Sequence, residues 1–343
     1  MTAATTVSEV RAYAAMCPGA ALEPYRFSHR DLAATDIEIA ITHCGICHSD
    51  WHLIQNDWGV SSYPLVPGHE IVGTIARLGA EITALRQGQR VGVGWLAGAC
   101  MRCEQCRAGT ENLCRQAQPT CVGRPGGYAA AVIVDGRFAA SIPHQMPSEV
   151  AAPLLCAGIT VFAPLRRRQL APCSRVGIVG VGGLSHLAIQ FAKGMGCAVT
   201  AFSETAGKAK DAAHLGADRF VWLGSEAELK AEASTSDFVL ATPPVDLPWA
   251  AYLEVLKPDG RFCIVGAAPG DVRLPACALI GGQKSIGGSA VGSNAEIRAM
   301  LDFAVAHHLQ RMVELYAMND VNKALERLIR NQIRYRAVLV HHG

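Results

Sequence analysis

The segment SRVGIVGVGGLSHLAIQFAKGMGCAVTAFS, beginning at Ser174, leaves this chain few folds to choose from. A β-branched run, a turn holding Gly180, Gly182 and Gly183, an amphipathic helical pattern and a second apolar run follow in order, which is the signature of a βαβ unit in a parallel sheet. Glycines after the first strand permit a tight turn. They also let backbone N–H groups approach a pyrophosphate, which the positive end of the next helix attracts. The sequence departs from G-x-G-x-x-G at its last position, where Ser185 replaces glycine. That glycine serves helix-to-strand packing, so a small serine is expected to be tolerated with phosphate contact retained. Alternation continues with a helix in KAKDAAHLG, strands in DRFVWL and DFVLAT, a helix in WAAYLEVLKPDG and a strand in RFCIVG. The fold class is α/β, with a doubly wound parallel sheet over this region.

Upstream the texture differs. DIEIAITHCG, PLVPGHEIVGTIARLG and GQRVGVGW are short β-branched runs broken by Gly and Pro, the pattern of a β-rich domain. At the other end, Ser293 to Glu296 matches a capping box, and Ile297, Met300, Leu301 and Ala304 recur at helical spacing. A further helix begins at Asp320 with Val321, Ala324, Leu325 and Leu328 on one face, and YRAVLV closes as a strand. At roughly 150 residues per domain, 343 residues make about two domains. The expected division is a β-rich domain over 1–155 that resumes at 293–343, with a nucleotide-binding domain over 156–292.

Lys plus Arg number 31 and Asp plus Glu 29, a net charge of +2, which gives no electrostatic footprint for nucleic acid or an anionic membrane. Uninterrupted apolar runs reach about seven residues, short of the roughly 18 that span a bilayer. The first thirty residues lack a basic segment followed by an apolar one, so a cytoplasmic address is expected. Thirteen cysteines is an odd count, and four of them crowd into 100–114, which points to metal before disulfides.

Cys100, Cys103, Cys106 and Cys114 form C-x2-C-x2-C-x7-C in a lobe over about 97–116. Two-residue spacers let a turn aim neighbouring thiolates at one ion, and four thiolates fill a tetrahedral zinc site, closed to substrate. An iron–sulfur cluster or unligated loop cysteines are the alternatives, the ferredoxin spacing being different from this one.

A second set is dispersed: Cys47 in GICHSDWH, His69 in VPGHEIVG and Cys156 in LLCAGIT. Two thiolates and one imidazole are a zinc set that leaves the fourth position open for catalysis. Cysteine is often simply buried, so the residue types alone do not define a site. Taken together, GHEIVG, CGICHSD, the four-cysteine lobe, the GVGG turn and the closing NQIRYRAVLV resemble the zinc-dependent medium-chain alcohol dehydrogenases. QNDWGVSSYPLVPGHE and LLCAGITVF are most similar to the cinnamyl alcohol dehydrogenase group.

This resemblance implies a β-rich GroES-like catalytic domain joined to a Rossmann domain. It implies that Cys47, His69 and Cys156 hold catalytic zinc, with Glu70 as an alternative fourth ligand, while Cys44 matches no ligand position. Asp50 resembles the carboxylate that orients His69, and Ser49 and His52 match a proton relay suited to imidazole chemistry near neutral pH. The resemblance places His48 at the cofactor pyrophosphate and adds Thr160, Val181, Leu184 and Val265 to the cofactor contacts. Asp57 occupies a familiar loop position without a derived role.

Cofactor choice turns on the end of the second strand, where an acidic residue would bind the ribose hydroxyls of NAD. Ser203 stands there, and Ser203, Thr205 and Lys208 fit the resembled family's NADP pattern, whereas Glu204 would repel a phosphate unless turned away. NADP(H) is expected, with NAD(H) the alternative, alongside two zinc ions per chain. The implied reaction is reversible hydride transfer between the nicotinamide and a primary alcohol or aldehyde that is aromatic, allylic or medium aliphatic. The proton would travel through Ser49 and a cofactor ribose hydroxyl to His52.

Trp51, Trp58, Trp95 and Val291 lie in stretches that would wall a substrate pocket between the domains, or serve as ordinary packing. A zinc-independent quinone or enone reductase, and a non-catalytic zinc- and nucleotide-binding sensor, are the competing functions. A homodimer is the expected assembly, a tetramer the next.

Overall fold

Ile37, Ile39 and Ile41 alternate onto the core face of the eleven-residue strand Asp36–Ile46, and that strand organises the β-rich part of the protein. In the computed structural model, which describes residues 9–310 and 312–341, Asp36–Ile46 pairs antiparallel with Ile71–Leu78, Ala131–Asp135 and Arg336–Val340. The main path of this seven-stranded sheet runs Val313–Ala317, Arg336–Val340, Asp36–Ile46, Ile71–Leu78, Arg90–Val93 and Ala140–Ser141, with Ala131–Asp135 branching from Asp36–Ile46. The closing strand, more than 290 positions from Asp36–Ile46 in sequence, is therefore its direct neighbour. The stretch read for an export leader is described only from residue 9.

Contacts divide the described residues into two units, one of 9–156, 292–305 and 312–341, the other of 157–291 and 306–310. The second unit holds a six-stranded, wholly parallel sheet. Its order is Arg219–Trp222, Ala198–Ser203, Arg175–Val179, Ser236–Ala241, Leu256–Ile264 and Ser285–Gly288. Numbered within the unit this is 3-2-1-4-5-6, the doubly wound order whose switch point lies beside the first strand. The central strands Arg175–Val179 and Ser236–Ala241 are largely buried and read as continuous apolar runs, as covered parallel strands do.

The late helices Asn294–Ala306 and Val321–Ile329 bury Ile297, Met300, Leu301 and Ala304, and Val321, Ala324, Leu325 and Leu328. The capping box is formed, with Ser293 N donating to Glu296 Oε2 at 2.8 Å.

Two sequence expectations change. The helix read through WAAYLEVLKPDG stops at Val255, and Leu256–Ile264 is strand with a register shift opposite Ser236 and Phe238. Pro258 has no N–H for a helix to use, and Asp259 takes φ +61° where the strand kinks. Secondly, the helical stretch Ser148–Arg167 has 20 residues and mean hydropathy 1.6, long and apolar enough to cross a membrane by those criteria. In the sequence Pro153, Gly158 and Pro164 interrupt the apolar run and hide its length. Of its apolar window, 83% is buried inside the protein, as in a core helix.

Candidate active site

Register brings three chain ends together. Gly45 N donates to Glu70 O at 2.9 Å and Ile46 pairs with Ala337, so Cys47, Glu70 and Arg336 lie side by side at the ends of adjacent strands. Cys156 arrives from a π-helical turn, Leu154–Gly158, a distortion that often marks functional positions. The ligand atoms of Cys47, His69, Glu70 and Cys156 all lie within 4.8 Å of one another, and all four residues are buried.

Asp50 orients this cluster. Its carboxylate accepts from Gly68 N at 2.9 Å, Cys47 N at 2.9 Å and Tyr128 Oη at 3.1 Å, and lies 3.0 Å from His69 Nδ1. With Nδ1–H donated to Asp50, His69 presents the Nε2 lone pair, which lies 3.2 Å from Cys156 Sγ. Burial opposes charge on His69, but Asp50 and Cys156 outweigh it and hold the imidazole well above its usual range. The two cysteines behave as a pair: a hydrogen bond from Cys156 pulls the Cys47 thiol well down, and the same bond pushes Cys156 up. Two thiolates this close need a shared proton or a cation between them.

Glu70 supplies a further test of metal fit. One carboxylate oxygen accepts from Arg336 Nη2, while Oε2 is buried with no hydrogen-bond partner. A Cβ on Gly45 would stand 1.8 Å from that Oε2, so only glycine leaves room for it. Burial pushes the carboxyl up to about 7, against the lowering pull of Arg336. Two sulfurs, a ring nitrogen and an unpartnered carboxylate oxygen around one point are a donor set that suits zinc.

The four-cysteine lobe is assembled as well. Sγ separations are 3.6 Å for Cys100–Cys114, 3.7 Å for Cys103–Cys114 and 3.9 Å for Cys100–Cys106. All four ligand atoms lie within 4.8 Å of one another. Backbone N–H groups of Arg102 and Cys103 draw the Cys100 thiol down to about 6, and burial pushes Cys106 up to about 12.

Beside the buried cluster lies a more open row. Cys47 Sγ lies 3.7 Å from Ser49 Oγ, and Ser49 and His52 share one face of the helix His48–Gln55 at i, i+3 spacing. His52 Nδ1 lies 2.7 Å from Asp57 Oδ2, a partner the sequence did not show. His52 stacks on Trp58 (5.3 Å, 30°), Trp58 meets Trp95 edge-on (6.3 Å, 79°), and Trp95 meets His69 edge-on (5.0 Å, 86°). Trp58 and Trp95 therefore adjoin the candidate site. Trp51 is half-buried on the same helix as His52 and takes no part in that row, and Val291 belongs to the other unit. His48 opens the helix, and burial lowers its imidazole.

In the second unit, Gly180 follows the first strand with φ +97°, a backbone that favours glycine, and the space beside Gly182 is open. Val181, Gly183 and Leu184 complete the turn into the helix Ser185–Gly194. Ser185 also acts through its hydroxyl: its Oγ accepts from Gly182 N at 2.6 Å, bracing the turn from inside. Ser203 ends the second strand, buried, and accepts from Thr205 N at 3.2 Å. Glu204 is exposed and Lys208 pairs with Asp211 at 3.7 Å. Thr160 is buried on Ile159–Arg167, and Val265 N donates to Ala241 O at 3.0 Å.

Three residues around Cys47, His69 and Cys156 escaped the sequence reading: Tyr128 and Arg336, which bond Asp50 and Glu70, and Cys121, whose sulfur lies within 4.8 Å of the nearest ligand atoms of Asp50 and His69. Arg336 carried a usable signal, a lone cation in the apolar strand RAVLV, because buried charges are paired. Tyr128 and Cys121 carried none that spacing would expose.

Residues 33–144 match the alcohol dehydrogenase GroES-like domain and residues 183–306 match the zinc-binding dehydrogenase domain. The chain belongs to the zinc-dependent medium-chain alcohol dehydrogenase family. It is an alcohol dehydrogenase or aldehyde reductase of the cinnamyl alcohol dehydrogenase-like group. Aldehyde reductase AdhA of Synechocystis is 39% identical over 97% of this chain and 99% of its own length. A probable cinnamyl alcohol dehydrogenase of rice is 41% identical over 93% of this chain and 89% of its own. Among solved structures, a cinnamyl alcohol dehydrogenase of Sorghum bicolor superposes with TM-score 0.93 at 39% identity, covering 97% of this chain and 98% of that one. The Helicobacter pylori enzyme, solved with NADP(H), gives 0.89 at 30% identity, again over 97% and 98%.

Proposed function

We propose that this protein is a zinc-dependent, NADP(H)-linked reductase of aromatic, allylic or medium aliphatic aldehydes, acting reversibly on the corresponding primary alcohols. The observation that carries this reading is the convergence of Cys47, His69 and Cys156 on one buried point beside the unpartnered oxygen of Glu70. Zinc there supplies a Lewis acid that polarises a carbonyl or eases deprotonation of an alcohol, and the nicotinamide supplies or accepts the hydride.

The protein's own groups do the rest. Cys47, His69 and Cys156 hold the ion in an orientation fixed by Asp50, while Glu70 stands beside them as a reserve ligand tied to Arg336. Ser49 exchanges the proton of the reacting oxygen. His52, a turn further along the helix, is partly exposed and passes the proton to solvent, steadied by Asp57. Trp95 lines the approach with apolar surface suited to an unsaturated or aliphatic side chain, and Trp58 stands between it and His52. Cys100, Cys103, Cys106 and Cys114 hold a second, structural zinc, for two ions per chain.

NADP(H) is favoured over NAD(H) by Ser203 at the strand end and by Lys208 close behind it, with Glu204 exposed and free to turn outward. His48, Thr160 and Val265 are read as further cofactor contacts, with the glycine turn as the pyrophosphate seat. A two-fold dimer through the sheet edge at Ser285–Gly288, or a tetramer built from it, is the assembly favoured by that exposed strand. All thirteen cysteines are unpaired, in keeping with a reducing cytoplasm.

Nicotinamide fluorescence titration tests the cofactor reading. NADPH is expected to bind about tenfold or more tightly than NADH, and Lys208→Ala to erase about tenfold of NADPH affinity while sparing NADH, the worth of one charge-assisted contact. Equal weakening for both cofactors would remove Lys208 from phosphate recognition. The activity reading is tested by NADPH oxidation over a panel of cinnamaldehyde, benzaldehyde and hexanal, where absence of turnover with every member would defeat it.

A further inference from the structure

We propose that Trp58 is a positioning residue that clamps the face of His52 while Asp57 clamps its edge, so that one short turn sets the imidazole for proton transfer. This rests on the reading of His52 as the outer member of the proton relay.

The turn is built for the purpose. The helix His48–Gln55 ends at Asn56 in a left-handed conformation (φ 60°, ψ 32°), which asparagine tolerates better than most residues. Asp57 N donates to His52 O at 3.0 Å, Gly59 N donates to Asn56 O at 3.0 Å, and Ser61 N donates to Asn56 Oδ1 at 3.0 Å. The chain is thereby folded back along the helix, and residues 57 and 58 both reach the same ring. Asp57 Oδ2 fixes Nδ1 at 2.7 Å, and the Trp58 indole stacks on the ring plane at 5.3 Å and 30°.

An imidazole with its side chain 30% exposed would otherwise exchange among rotamers. Edge and face contacts together leave it one orientation. Trp58 is itself 39% exposed, so burial of its own surface does not explain its placement. It also meets Trp95, which in turn packs edge-on against His69. The clamp is thus braced against a metal-ligand candidate. When the proton sits on His52, the imidazolium also faces the electron-rich indole, a favourable pairing for the charged state.

A residue that merely walled the substrate would act differently from one that holds the relay, and the two are separable. In the zinc-loaded enzyme, Trp58→Leu is expected to lower kcat about five- to tenfold for benzaldehyde and hexanal alike, a fraction of the loss typical for removing a general acid or base. KM should stay within about twofold, and Trp58→Phe should restore most of kcat by keeping an aromatic face. Added to His52→Ala, Trp58→Leu should cost less than about twofold more, because coupled residues are non-additive. A rise in KM confined to the aromatic aldehyde, or full additivity with His52→Ala, would overturn the proposal.

A second readout needs no turnover. In 15N-histidine NMR spectra of the zinc-loaded protein, the His52 Nδ1–H signal held by Asp57 should broaden or vanish in Trp58→Leu and persist in Trp58→Phe. An unchanged His52 signal in Trp58→Leu would overturn the clamp. Turnover of no aldehyde by the unaltered enzyme would instead defeat the function proposed above, with the NMR comparison still deciding the clamp.

Discussion

His69→Ala is expected to lower kcat/KM for aldehyde reduction by about a thousandfold or more, since Lewis-acid stabilisation is worth several kcal/mol and each 1.4 kcal/mol is about tenfold. His69 is fully buried, with Nδ1 held by Asp50 and Nε2 turned to Cys156. Alanine removes one of three donors from the buried site. It also leaves Asp50 with one partner fewer, although three hydrogen bonds from Gly68, Cys47 and Tyr128 remain to hold the local backbone. Zinc content measured on the purified variant should fall by one ion per chain while the four-cysteine lobe keeps its own. Asp50→Asn should be milder, about 10- to 100-fold in metal affinity, because it disturbs orientation rather than ligation. Retention of a tenth or more of wild-type kcat/KM by His69→Ala would count against the assignment.

The largest effect on stability is expected at Arg336. Its guanidinium is buried against Glu70, at side-chain exposures of 3% and 0%. Arg336→Met removes the partner and leaves a buried carboxyl, already pushed up to about 7, that must take up a proton or stay charged and unpaired; breaking a buried pair in this way typically costs about 3–5 kcal/mol. For a protein of this size the melting temperature should drop by roughly 5 °C. The companion Glu70→Gln/Arg336→Met should recover a substantial part of that loss, because the uncompensated charge goes with it. Calorimetry on the zinc-loaded proteins reads both. A double variant no more stable than the single one would show that Arg336 acts through its packing and not through Glu70.

The parallel sheet was legible because its apolar runs and glycine turn are local signals, and Gly180 does take the positive φ that the turn requires. Helical faces were equally local: Val321, Ala324, Leu325 and Leu328 point inward as their spacing demands. Cys47, His69 and Cys156 were legible only through resemblance, since nothing in three short strings states that two strand ends and a π turn will meet. Arg336 could not be placed beside Glu70 from sequence alone, being 266 positions away and joined to it only by strand pairing. Ser185 was legible in part only. A side chain read for size turned out to act through its hydroxyl, which accepts the N–H of Gly182. Asp57 was seen without a role because its partner depends on the left-handed turn at Asn56, a conformation the sequence permits without requiring.

The most direct test is to follow zinc content and NADPH-dependent reduction of benzaldehyde together while a chelator is titrated into the native enzyme. The partly open catalytic ion should leave before the ion closed within four thiolates, and activity should disappear in step with the first zinc and return when zinc is restored. Full turnover after that first ion has gone would contradict the account.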